Sequence, residues 1–161
     1  MDAREYFRRR GARLLFEHAR ACIGRRREAA ALVELGVDGI RPRHVPQIGR
    51  GAGGVGDPAW RAALYRMTTA QEIYDGARAR LADIDEFRDA AARLARGVGM
   101  GAGARCGEAL ELYYIEGLRW DEVCERMGCS RRHLLRLRDA GCEWADAVGW
   151  HRALRGVGRA Q

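Results

Sequence analysis

The chain of 161 residues carries 29 arginines, no lysine and 22 acids, for a net charge of +7 at pH 7 and a pI near 9.7. That length suits one domain, or one small domain with a helical extension, and the charge suits a polyanionic partner without requiring one. No apolar run approaches a bilayer span; five cysteines without Cys-x-x-Cys spacing and four scattered histidines speak against a zinc or other metal site.

Taken in order, Asp2 to Gly36 reads as one long helix. Phe7, Leu14, Leu15, Cys22, Ile23, Ala29, Ala30, Leu32 and Val33 recur at helical spacing between the arginine clusters at Arg8 to Arg10 and Arg25 to Arg27. Met1 to Arg43 holds eleven arginines against six acids, so most of the net charge lies here. These arginines can touch a DNA backbone, or flank a packing seam and face water as charged side chains on coiled-coil-like helices more often do. From 37 to 57 the pattern is broken by Pro42, Pro46 and glycines that include Gly49, Gly51, Gly53, Gly54 and Gly56, which predicts a mobile loop. It is no nucleotide-binding loop, because no lysine followed by serine or threonine completes it and no apolar strand precedes it.

Asp57 and Pro58 stand in the order favoured at a helix start, and the next helix is expected to run to about Arg96. Its seam is Leu64, Met67, Tyr74, Leu81, Ile84, Phe87 and Leu94. Residues 1–97 are thus expected to form a long, coiled-coil-like helical hairpin, or to pair between protomers as a homodimer, since a seam rich in alanine is weak for a lone hairpin. Gly97 to Gly107, with five glycines, reads as a hinge at about 98–107 on which the remainder swivels.

Residues 108–149 carry the strongest signal. An apolar helical run from Ala109 to Ile115 stops at Gly117; Leu118 and Trp120 lead into a short helix that stops at Gly128; Ser130 can cap a third helix with its hydroxyl. Glu108, Glu111, Glu116, Asp121, Glu122 and Glu125 outnumber the arginines of the first two helices, whereas Arg131, Arg132, Arg136 and Arg138 follow Ser130 with no acid among them. Leu134 and Leu137 keep the spacing of a buried seam behind that basic front, and Gly141 interrupts the seam at about 1 kcal/mol, which marks a bend or a close helix contact. Residues 150–161 read as a flexible tail. The fold class expected is all-α, a long helical hairpin followed by a three-helix head.

Leu112 to Tyr114, Gly117, Trp120 to Val123, Met127, Gly128 and Ser130 onward resemble the helix-turn-helix of the fourth conserved region of bacterial sigma factors, the part that reads the −35 promoter element. The similarity is nearest to small phage and prophage proteins that carry only this region, in which a glycine-aspartate-proline step and a long helix precede the motif, as Gly56, Asp57 and Pro58 do here. The resemblance implies double-stranded DNA as partner, RNA polymerase as a further contact, and Arg131, Arg132, Leu135 and Arg136 facing the groove, with His133 and Arg138 nearer the DNA backbone and Ser130 among the DNA-binding residues. Two residues depart from the family. Arg119 replaces the usual threonine cap of the second helix, at about 1 kcal/mol. Leu135 replaces a polar base-reading side chain and can touch a thymine methyl but cannot hydrogen-bond.

The function expected is therefore a DNA-binding transcriptional regulator. A small terminase subunit recognising a packaging site and a protein-interaction module without DNA readout are the alternatives. No catalytic residues and no cofactor are expected, because no serine or cysteine has a local partner for nucleophilic work and no histidine completes an acidic cluster. Odd cysteine number and the lack of a signal peptide predict a reducing cytoplasm, and the resemblance implies that of a bacterial host, in association with the nucleoid.

Overall fold

The computed structural model describes residues 2–40 and 58–158, and among these the chain is all-α. The elements are α1 (Ala3–Ile40), α2 (Pro58–Gly101), α3 (Ala104–Leu110) continued by a π-helical turn (Glu111–Ile115), α4 (Trp120–Met127), α5 (Arg131–Val148) and α6 (Trp150–Leu154). Residues 37–40 of the expected loop are helical, and the rest of it, 41–57, lies outside the described residues. No helix of the described residues is long and apolar enough to cross a membrane.

The chain divides into two compact units, one of Met1–Gly24 with Ile84–Gln161 and one of Arg25–Asp83. The division cuts across both long helices and does not follow the expected boundary between a hairpin and a head. In the first unit, Leu15 and Phe16 of α1, Leu94 and Val98 of α2 and Leu110 of α3 are all fully buried. They share one cluster with Tyr114, with Cys142 and Ala145 of α5 and with Ala153 of α6. Each such leucine or phenylalanine contributes about 1.5–3 kcal/mol by leaving water. Phe16 belongs to this core although the expected seam did not include it, while Leu14, which that seam did include, is 40% exposed.

The expected hinge is a packed crossing. α2 continues through Gly97 and Gly99 to Gly101, and α3 begins at Ala104. A Cβ on Gly107 would lie 2.6 Å from the Cα of Gly99, and one on Gly97 would lie 1.9 Å from the carbonyl oxygen of Ala153. Gly97 and Gly107 are small because backbones meet there, whereas Gly103, at φ +132° with open space around it, serves the turn between α2 and α3. Gly141 is also a close contact, here with the side chains of Val98 and Leu110. The expected tail is also corrected: Trp150–Leu154 is helical, Trp150 packs on Phe7 at 5.4 Å between ring centroids, and Ala153 is fully buried.

Within α1, Gly11 takes φ +82°, a value costly for any residue with a Cβ. The amide of Ala12 donates to Asp146 Oδ1 of α5 at 2.7 Å. Asp146→Ala leaves that amide without its acceptor and is expected to cost about 1–2 kcal/mol. The midpoint of a urea or guanidinium titration checks it; an unchanged midpoint would show that water replaces the carboxylate at no cost.

The second unit consists of the end of α1 and the start of α2. Among its described residues only Ala29, Ala70 and Ala77 are buried, whereas Leu35, Leu64, Tyr65, Met67 and Ile73 are each 40% exposed or more. Leu64 and Met67, expected in the seam, point to solvent instead.

Candidate nucleic-acid interface

The basic side chains singled out by the sequence are set by the two turns that flank α4. At its start Arg119 is the capping residue in extended geometry, and its side chain makes no cap bond. An arginine has no acceptor to offer. Glu122 replaces half of the usual arrangement by accepting from the Arg119 amide at 2.6 Å, so the absence of a capping hydroxyl at 119 is partly offset by the reciprocal arm of a capping box. At its end Gly128 adopts φ +58°, and the Cys129 amide returns to the Cys124 carbonyl at 3.0 Å. This is the six-to-one bond of a Schellman stop.

Ser130 then opens α5 as the sequence predicts, its hydroxyl accepting from the His133 amide at 3.3 Å. Arg131, Arg132, His133 and Arg136 are exposed, Leu135 is half-buried, and Leu134 is fully buried. Leu134 packs with Ala109, Leu112, Val123 and Met127 in a second small core. That core fixes the roll of α5 about its axis and so decides which side chains face out. Among the described residues no carboxylate forms an ion pair with Arg131, Arg132 or Arg136.

Arg138 is placed differently. Its side chain is only 13% exposed, pairs with Asp139 at 2.6 Å, and lies 5.7 Å over the Trp120 ring. Trp120 in turn stacks on Tyr113 at 3.8 Å, and Arg20 of α1 lies 4.0 Å over Tyr113. Of the candidate residues, Ser130, Arg131, Arg132, His133, Leu135 and Arg136 share the start of α5, and Arg138 is taken up by packing.

Three arginines outside the motif support it. Arg20 donates to the Tyr113 carbonyl and to that of Leu118 at 2.9 Å. Arg88 of α2 donates to the Ile115 carbonyl, and Arg105 donates to that of Met127 at 2.7 Å. Each puts a cation where a helix leaves carbonyls unpaired and its dipole is negative. These roles are invisible in sequence, because the partners of Arg20 and Arg88 lie 27–98 residues away along the chain and one arginine looks like another. Burial also pushes the Tyr114 phenol and the Cys142 thiol up to about 12, so both stay neutral in the core. Among the described residues no group of three or more His, Cys, Asp and Glu side chains is placed to hold a metal ion. Comparison with protein-family models, curated proteins and solved structures gave no match.

Proposed function

We propose that this chain is a DNA-binding transcriptional regulator of phage or prophage type, which reads the major groove with the start of α5 and also contacts RNA polymerase. In this reading the long helices form a hairpin that carries a helix-turn-helix head, and the protein acts by binding, without catalysis or cofactor. The observation that carries it is the one-sidedness of the start of α5, with Arg131, Arg132, His133 and Arg136 exposed and Leu134 fully buried behind them. An α-helix matches the width of the major groove, about 12 Å. Arginine forks pair bidentately with guanine edges or phosphates. Base contacts are assigned to Arg131, Arg132, Leu135 and Arg136, and a backbone contact to His133, with Ser130 at the start of the DNA-binding helix.

The test is Arg136→Ala, at a position whose side chain carries no structural contact in the core. Fluorescence anisotropy against the protein's own selected duplex is expected to show a loss of about 1–3 kcal/mol, confined to one base pair if Arg136 reads guanine. If it holds phosphate, all sequences weaken alike and the salt slope drops by about one. A folded variant that binds every duplex as the parent does removes Arg136 from the interface.

A second reading, a small terminase subunit, is favoured by the exposed Leu35, Leu64, Tyr65, Met67 and Ile73 of the second unit. Exposed apolar side chains on these helical segments are what an assembly face would use. Light scattering of the purified chain separates the two: a dimer through the long helices belongs to the regulator, and a closed ring to the terminase subunit. A monomer at micromolar concentration would rule out assembly through this unit.

A further inference from the structure

Five free cysteines are present, of which Cys22, Cys106 and Cys142 are buried while Cys124 and Cys129 are partly exposed. The last two occupy the two ends of the Schellman stop of α4. In that stop the residues joined by the six-to-one backbone bond also bring their side chains together, usually as an apolar contact. Here both positions are cysteines, and both rest against the small core that holds Leu134. The backbone bond of 3.0 Å between them limits their Cα separation to about 7 Å or less with standard bond lengths. Disulfides span about 4.4–6.8 Å.

The geometry points to Cys124 and Cys129 as a dithiol oxidation site that closes to an intramolecular disulfide in the turn leading into α5. The co-reactant is hydrogen peroxide. A thiolate at Cys129 attacks one peroxide oxygen, the O–O bond breaks, and the departing hydroxide takes a proton to leave as water, with a sulfenic acid on Cys129. The Cys124 sulfur then displaces the sulfenic hydroxyl, which leaves as a second water, and the S–S bond forms. Two thiols lose two hydrogens and two electrons, and the peroxide is reduced to two waters. Burial, and next the neighbouring Cys129, push the Cys124 thiol up, which suits it to the second, resolving step. Closure fixes the two sulfurs at about 2.05 Å and pulls the residue before the Ser130 cap toward α4. The start of α5 must shift with it. The consequence for DNA rests on the function proposed above; the disulfide does not.

The full chain, reduced and then treated with one equivalent of hydrogen peroxide, is alkylated and digested with trypsin. Cleavage after Arg119, Arg126 and Arg131 separates the two cysteines into Trp120–Arg126 and Met127–Arg131. The result expected is a linked pair of these peptides, two hydrogens lighter, that dithiothreitol separates. It should be absent in Cys124→Ser and in Cys129→Ser, while the three buried thiols remain alkylatable after unfolding. Both peptides recovered alkylated, each carrying a sulfinic acid, or joined between chains would overturn the site. The same two samples are titrated with selected DNA, where closure is expected to lower affinity about tenfold or more, the scale of losing one base-reading contact. Equal affinity of a binding-competent protein in both states overturns the effect on the turn. Absence of binding by the reduced protein speaks against the DNA-reading function, and the linked peptide still decides the disulfide.

Discussion

Leu134→Ala is expected to cost about 2–5 kcal/mol of unfolding free energy, while Leu135→Ala, one position along the same helix, is expected to cost less than about 1 kcal/mol. Leu134 has no exposed surface and closes the core of Ala109, Leu112, Val123 and Met127, so its truncation leaves a cavity that three short helical segments cannot readily collapse. Leu135 is half-buried and is assigned to DNA. A carboxylate at the first position is more severe, because an unpaired charge would be forced into an apolar site. Leu134→Asp should therefore lose its cooperative thermal transition by circular dichroism. A folded Leu134→Asp protein with normal DNA binding would mean that α5 is rotated from the orientation described, and the assignment of Arg131, Arg132 and Arg136 to the outer face would fall with it.

Gly107→Ala is expected to be about as damaging as that core truncation, although it adds only one methyl group. The new Cβ would lie 2.6 Å from the Cα and 2.7 Å from the amide of Gly99, and 2.7 Å from the carbonyl oxygen of Ala95. All three are backbone atoms, which cannot swing aside as a side chain does. Overpacking of a well-filled core costs about 1–3 kcal/mol, and a rigid obstacle places this substitution at or above the upper end. Gly97→Ala is expected to behave alike, its Cβ falling 1.9 Å from the Ala153 carbonyl oxygen. Thermal denaturation distinguishes this from a swivel, because alanine in a true hinge is harmless or, by restricting the unfolded chain, slightly stabilising. A melting temperature that stays or rises in both variants would restore the hinge.

The contrast between these two positions shows what can be read in the sequence. Ser130 and Gly128 were legible because caps and stops act locally: a hydroxyl before a helical run and a glycine after one meet needs set within four or five residues. Leu134 was legible because one buried position repeats at helical spacing. Gly97 and Gly107 are not legible as contacts because the same absence of a Cβ serves two needs. In one dimension it loosens a chain, and in three it lets two backbones touch. Nothing near Gly107 in sequence announces that Gly99 lies across from it. Trp150 was read as tail for the same reason, its partner Phe7 standing at the far end of the chain. Phe16 and the arginine donors Arg20 and Arg88 depend likewise on which helix lies opposite.

The start of α5 was legible as a basic face, yet charge alone did not separate Arg136 from Arg138. Two residues along the helix rotate a side chain by roughly 200°. That is enough to take Arg138 from the open face to the Trp120 ring and Asp139. Arg138→Ala should thus act mainly on stability, and Arg136→Ala on binding.

The most direct test of DNA reading by α5 is selection from a random duplex library with the reduced, purified protein at near-physiological salt, beside a variant carrying both Arg131→Ala and Arg136→Ala. The result expected is an enriched motif that the variant loses while it keeps the parent's circular dichroism spectrum, with the spacing of half-sites reporting whether one head or two engage the duplex. Salt-sensitive binding without any motif, or a motif retained by the variant, would contradict a DNA-reading helix at Arg131 to Arg136.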